Sequence, residues 1–189
     1  MSCGIALVRP KFPISKAADI AGEAEDAAKK YDSQINNQTF KKNAINFLGL
    51  SLNWFHEWPF VEDCKEDLVY WIQKGILSKG ILMKIFQWYD QYQFYANRQT
   101  SQARQPANSQ PLRWKWHAAY SFARIAASVG YGDKKQEVQQ ACDELKKLLF
   151  CGQYLPLTSK NNAGKPYHHI EFHALVVACR WAELILRNL

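Results

Sequence analysis

The sequence lacks the features that mark membrane, secreted or disulfide-stapled proteins. No apolar run approaches the roughly 20 residues of a membrane-spanning helix, and the opening segment 1–8 has neither a basic n-region nor a cleavage site. The five cysteines are odd in number, well separated and without a Cys-x-x-Cys pair, which argues against a disulfide framework and a zinc knuckle. We therefore expect a cytoplasmic protein without a membrane partner, whose reduced cysteines are mostly small core residues.

Motifs of nucleophilic catalysis and of phosphate transfer are missing as well. There is no Gly-x-Ser-x-Gly elbow, no Gly-x-x-x-x-Gly-Lys-Ser/Thr loop and no acidic pair in a recognisable setting. The stretch from Gly75 to Gly80 contains glycine and lysine but does not complete the phosphate-loop pattern. We therefore expect no catalytic residue and no cofactor, and a protein that binds a partner rather than catalysing a reaction.

Apolar, aromatic and basic side chains are abundant. A chain of 189 residues that is 48% hydrophobic suits a single domain, and its seven tryptophans are an unusually high number. The net charge of +7 is concentrated in the middle, where residues 65–124 hold nine Lys/Arg against three Asp/Glu. A local positive excess of this kind favours a polyanionic partner.

Helical periodicity predicts an all-α fold, a compact bundle of about six to seven helices that forms a single domain over residues 1–189. Apolar residues recur at spacings of three and four in seven segments, and no alternating segment of strand length competes with them. Capping residues, prolines and glycines set the boundaries. The predicted helices are Lys16–Tyr31, Thr39 to about Pro59, Asp63 to about Gly75, Lys79 to about Asn97, Pro111–Val129, Asp133 to about Gly152, and Pro166–Arg187.

The first two predicted helices have distinct apolar faces. The first helix is rich in alanine, which permits close packing, and its predicted inward residues are Ile20, Ala24, Ala27 and Tyr31. The second helix has a broader face that suits a central position, formed by Ala44, Phe47, Leu48, Leu52 and Phe55.

The segment from Arg98 to Gln110 differs in composition from the helices around it. It is rich in Gln, Asn, Ser and Arg, it holds Pro106, and apart from that proline it has no aliphatic residue larger than alanine. We predict a mobile surface loop here. Arg98 and Arg104 could close over a bound strand, and the alternative is a loop that is merely soluble.

The clearest functional pattern lies on the predicted fifth helix. Four residues at spacings i, i+4, i+7 and i+11 share one face, and they are Arg113, His117, Tyr120 and Arg124. Guanidinium groups bind phosphate oxygens bidentately, and Tyr or His can stack on a base or donate to a phosphate, so this face has the chemistry of a nucleic-acid contact. The alternative is a solvated face. Lys115 lies on a neighbouring face, and a further face, which we expect to meet the core, holds Leu112, Trp116, Ala119, Ala123 and Ala126.

The predicted fourth helix adds Lys79 and Lys84 to the basic residues of the middle section. Consecutive helices joined by a loop commonly pack as neighbours. We therefore expect the basic residues of the fourth helix, the loop and the fifth helix to form one patch.

A second cluster of possible ligands precedes and opens the last helix, where the sequence has His168, His169, Glu171 and His173. His169 and His173 are at i, i+4 and could both face a metal, but Glu171 should point away from them, and the order is not His-Glu-x-x-His. We expect capping or partner contacts here and no metal. A small metal-dependent enzyme is the alternative, and it predicts bound metal on purification.

Three segments of the chain carry a family resemblance, and they are Ile76–Phe86, Trp116–Arg124 and Glu171–Ala178. In their residues and in their order they resemble the small α-helical subunit of type III CRISPR effector complexes. From residue 76 onward, the resemblance covers about 110 residues of this chain. The sequence departs from the family by its long N-terminal part, its tryptophan content and the segment 98–110. These departures leave both the Csm-like and the Cmr-like branch open, and the N-terminal helices favour the latter.

The resemblance implies a non-catalytic subunit that stacks with copies of itself, joins other effector subunits and contacts the backbone of guide RNA and target RNA. The residues it assigns to this contact are Lys79, Lys84, Arg113, Lys115 and Arg124. His117 and Tyr120 are added by the helical-face argument alone. The rival interpretation is a helical adaptor that binds a protein through exposed tryptophans, which predicts binding that is insensitive to salt.

Overall fold

The computed structural model describes residues 1–35, 38–101, 113–128, 133–156 and 166–187. Most of these residues are helical, as predicted, but the all-α prediction is wrong because a small sheet forms in the N-terminal part. The elements of the described residues are β1 (Ser2–Ile5), α1 (Ile14–Lys30), β2 (Asp32–Ile35), β3 (Gln38–Lys41), β4 (Ala44–Phe47), β5 (Leu50–Asn53), α2 (Glu57–Gln73), α3 (Gly80–Ser101), α4 (Arg113–Ser128), α5 (Asp133–Cys151) and α6 (Phe172–Arg187).

The sheet has three strands in the order β1-β4-β5. β1 runs parallel to β4, with Ser2 opposite Ala44, and β4 pairs antiparallel with β5. Parallel strands need a crossover connection, and this one contains α1, which packs on both β1 and β4. Within the same connection, β2 and β3 form a separate antiparallel pair.

A β-hairpin replaces the predicted second helix. Leu48 and Gly49 connect β4 to β5, and both have positive φ, 54° and 80°, as the type I′ hairpin turn requires. Every residue of β4 is buried. A strand that is buried on both faces lacks the alternation of apolar and polar residues that identifies a strand in a sequence. The apolar residues of β4 and β5 therefore matched helical spacing by coincidence.

α1 packs on the sheet through a face next to the predicted one. Ile20 and Ala27 of the predicted face are exposed. The close packing expected from an alanine-rich helix is present, because a Cβ atom placed on Gly4 of β1 would lie only 2.3 Å from the backbone nitrogen of Glu25. The small residues that meet the sheet are Ala17, Ala21, Ala24 and Ala28.

α2 begins at Glu57, six residues before the predicted start at Asp63. Pro59 lies in the first turn instead of ending a helix, and it is tolerated there because first-turn amides have no partner within the helix. The side-chain oxygen of Asn53 accepts hydrogen bonds from the backbone N–H groups of residues 55 and 56. This side chain holds the chain in the turn that leads into α2.

The central helices agree closely with prediction. α3, α4 and α5 each lie within a few residues of the expected bounds. α3 continues to Ser101, so the backbone of Arg98 is helical. The predicted loop therefore does not begin at Arg98. Residues 102–112, including Arg104, lie outside the described residues.

α6 begins at Phe172, six residues after the predicted start at Pro166. Two features before it prevent an earlier start. The backbone of Tyr167 pairs with that of Tyr154 in an isolated antiparallel bridge, and His169 has a positive φ of 57°, which a right-handed helix excludes.

One hydrophobic core runs from the sheet into the helices, with Ile45 and Leu52 joined to side chains of α2, α3, α4, α5 and α6. Cys64, Cys142 and Cys179 are buried in it, as the sequence predicts for most cysteines, and burial raises the pKa of all three thiols. None of the described helices has the length and apolar character needed to cross a membrane.

The approach of α1 to β1 predicts opposite effects for two glycine substitutions. Gly4→Ala should destabilise the fold by roughly 2 kcal/mol or more, because the new methyl group meets backbone atoms of α1 and forces the helix away from the sheet. Gly22→Ala on the same helix has no atom within 4 Å of the new methyl group and should stabilise by about 0.5–1 kcal/mol. Urea denaturation of both variants measures the difference, and equal stabilities would contradict the packing described.

Candidate nucleic-acid interface

α4 has one buried and one exposed face. Trp114, Ala118 and Phe122 are buried at intervals of four residues. The opposite side is exposed, and the structure places on it the four residues singled out in the sequence, Arg113, His117, Tyr120 and Arg124. These side chains therefore lie on one accessible surface.

α3 packs beside α4, and the seam between them is concave at two places. At one end Lys84 of α3 faces Tyr120 and Arg124 of α4 across the depression. At the other end a second depression is lined by Asp90, Gln91, Phe94, Arg113 and His117. We refer to the two depressions together as the α3–α4 groove. The α4 positions that line it, from residue 113 to residue 128, extend over about 22 Å of helix.

The cations of the α3–α4 groove form no ion pair within the part of the chain that the structure describes. Among the described residues, no carboxylate lies within 4.0 Å of the charged groups of Lys84, Arg113 or Arg124. Some cations elsewhere are paired, for example Lys29 with Glu25 at 2.9 Å. The groove therefore presents positive charge to a ligand.

Exposed aromatic rings lie beside these cations. Trp116 is 75% exposed and Tyr120 is 64% exposed, one turn apart on α4, and Phe94 on α3 is 53% exposed. The expectation that Trp116 faces the core is wrong, because the buried tryptophan of this helix is Trp114. The regular spacing of Trp114, Ala118 and Phe122 is the sequence signal that would have identified the correct core face.

Other residues predicted for the interface lie away from the groove or outside the described side chains. The ammonium group of Lys79 donates a hydrogen bond to the carbonyl of Leu186 near the end of α6, at 3.2 Å. Lys115 is half-buried, with its ammonium group 5.6 Å from the Trp114 ring. Arg98 lies on α3 by its backbone, and Arg104 is outside the described residues.

The histidine cluster before α6 has a different geometry from the predicted one. His168 and His169 precede the helix and are exposed, so the i, i+4 relation between His169 and His173 does not apply. Glu171 does not point away, since its Oε2 lies 3.1 Å from His173 Nδ1. On the other side of the ring, Nε2 lies 3.2 Å from Oε1 of Glu57 at the start of α2.

His173 is held as an imidazolium between these two carboxylates. Burial alone would lower the pKa of His173, but Glu171 and Glu57 outweigh it and raise the pKa to about 9. The contact at Nε2 is an ion pair rather than an aligned hydrogen bond. Glu57 also accepts a hydrogen bond from the backbone N–H of Asn53, at 2.7 Å, and one from the Tyr31 hydroxyl, at 3.3 Å.

The cluster of Glu57, Glu171 and His173 is compact enough for a metal site, since one ligand atom from each lies within 4.8 Å of the others. Its geometry favours a different role. The imidazole meets the two carboxylates through different nitrogens, whereas a shared metal ion needs all three ligands to converge on one point. The arrangement therefore fits a charged link between α2 and α6, and the sequence alone could not identify Glu57 as its third member.

No protein-family model matches this chain, and neither the curated proteins nor the solved structures include a significant match. A proposal for its function therefore rests on side-chain chemistry and on the sequence resemblance described above.

The imidazolium link predicts a specific dependence of stability on pH. Folding raises the pKa of His173 from 6.5 to about 9. The stabilisation that protonated His173 gives the fold should therefore be complete below pH 6.5, decline above that, and vanish beyond pH 9. The size should be roughly 2–4 kcal/mol. Unfolding free energies of the parent and of His173→Gln, measured from pH 6 to pH 10, give this contribution as their pH-dependent difference. A constant difference would contradict the charged link.

Proposed function

We propose that this chain is a cytoplasmic, non-catalytic RNA-binding subunit of a type III CRISPR effector complex. It contacts the phosphate backbone of guide or target RNA through the α3–α4 groove, and it assembles with other subunits and with copies of itself. The observation that carries the proposal is the set of unneutralised cations along one groove, formed by Lys84, Arg113 and Arg124.

The chemistry of these cations suits phosphate. A guanidinium group can donate two parallel hydrogen bonds to phosphate oxygens, and lysine adds a point charge. Asp90 lines the depression that contains Arg113 and His117, so its charge opposes a phosphate there. The end formed by Lys84 and Arg124, whose lining includes no carboxylate, is therefore the stronger phosphate site.

The family resemblance supports the same surface. Of its three segments, Ile76–Phe86 contains Lys84, and Trp116–Arg124 contains four residues that line the groove, including Tyr120 and Arg124. Both segments lie largely on α3 and α4, whereas the N-terminal sheet lies outside the resemblance. The proposal therefore applies to the helical part of the chain.

A protein adaptor is the second candidate, and the exposed Trp116 favours it. Aromatic side chains are enriched at the centres of protein interfaces. An adaptor, however, leaves the row of unneutralised cations without a function, so we place RNA binding first.

RNA binding by this groove should fall steeply with salt and depend weakly on sequence. Each neutralised phosphate releases counterions, so log affinity on a single strand should decline with log salt by about 0.7 per contact. Fluorescence polarisation with two unrelated oligonucleotides, titrated at several salt concentrations, measures both properties. A flat salt response would favour the protein adaptor.

Replacing Arg113 and Arg124 together with alanine should weaken RNA binding and leave the fold intact. Both side chains are exposed, so no core cavity opens, and alanine favours the helix. The salt slope on single strands should decrease by about 1.4, because two phosphate contacts are lost.

The matched control is Lys16→Ala with Lys30→Ala, which removes two exposed charges from α1 and should leave the affinity nearly unchanged. Melting temperatures of both double variants are measured beside the affinities. If the arginine variant melts like the parent and binds RNA equally well, the α3–α4 groove is not the RNA site.

A further inference from the structure

We infer that the α3–α4 groove takes an unpaired RNA strand, whose bases stack on the exposed rings of Trp116 and Tyr120. The inference rests on the proposed function and narrows it, because phosphate contacts alone would accept single strands and duplexes. It is carried by the placement of aromatic rings among cations.

Trp116 differs from the other tryptophans of the chain. Among the described residues its ring has no aromatic neighbour, and it is 75% exposed. Trp71 is buried, and the other five each pack against a neighbouring ring, namely Trp54, Trp58, Trp88, Trp114 and Trp181. Packing among the described residues therefore does not account for the position of Trp116.

The two exposed rings lie on the same side of α4. Trp116 and Tyr120 are four residues apart, which puts neighbouring side chains on one side of a helix. The guanidinium carbon of Arg124 lies 5.8 Å from the centre of the Tyr120 ring. Tyr120 lines the α3–α4 groove, and Trp116 lies beside the groove on α4, three residues after Arg113. A nucleotide with a flat base and a charged phosphate therefore finds both rings and cations on this side of α4.

The same arrangement argues against a paired strand. In an A-form duplex the bases are stacked on one another inside the helix, so a protein surface meets mainly phosphates and 2′-hydroxyl groups. Flat protein rings can stack only on bases that are splayed out. Base–aromatic stacking tolerates any sequence, because every base has a π-face, and this agrees with the weak sequence dependence proposed above.

The experiment compares a normal single-stranded RNA with an abasic strand of the same length and charge, and with a duplex. The parent protein should bind the normal strand roughly five to a hundred times more tightly than the abasic strand, and more tightly than the duplex. Trp116→Ala should lose a similar factor on the normal strand and none on the abasic strand, with an unchanged salt slope because the indole carries no charge.

Two variants serve as controls. Phe55→Ala removes a ring that is 77% exposed in the segment between β5 and α2, and it should bind both strands as the parent does. Trp116→Phe keeps a ring and should restore most of the affinity for the normal strand. Melting temperatures should match that of the parent, since both rings are on the surface.

The possible failures are distinguishable. If the parent binds RNA with a steep salt dependence but Trp116→Ala binds both strands as the parent does, the stacking inference is overturned and the proposed function stands. Equal affinity of the parent for duplex and single strand would also overturn it. If the parent binds none of the three RNAs, the proposed function fails as well, and Trp116 becomes a candidate contact for a protein partner.

Discussion

Three carboxylates of α2 are buried, and the C-terminal part of the chain supplies a partner to each of them. They are Glu57, Asp63 and Asp67. The Tyr154 hydroxyl donates to Asp67 at 2.5 Å and the Tyr167 hydroxyl donates to Asp63 at 2.6 Å, while His173 pairs with Glu57. Because a buried charge that loses its partner costs several kcal/mol, these contacts fix where the segments before α6, and α6 itself, dock on α2.

The groove depends on the same docking. Phe172, the neighbour of His173, packs against Tyr89 and Tyr92 of α3 and against Trp114 of α4, with ring centres 5.1–5.6 Å apart. One aromatic side chain at the start of α6 thus contacts both helices of the α3–α4 groove. The position of the surface cations is therefore tied to the satisfaction of charges buried on α2, even though the two sets of residues do not touch.

Local periodicity was sufficient for part of this structure. It predicted α3, α4 and α5, and with them the shared exposure of Arg113 and Arg124, because amphipathic helices depend on near neighbours. It failed for the hairpin, where burial on both faces of β4 removed the alternation of a strand. It could not find the partner of His173, because Glu57 is 116 residues away in the chain and a carboxylate on a helix usually faces water.

The pairing of β1 with β4 has a consequence for the order in which the protein folds. Ser2 and Ala44 meet only after the whole connection between them has been made, and α2 finds its partners only when residues 154–173 are available. Contacts between such distant positions slow folding, because the entropy of closing long loops is lost before the contacts form. On the ribosome, α3 and α4 therefore emerge and can become helical well before α6 arrives to hold them together.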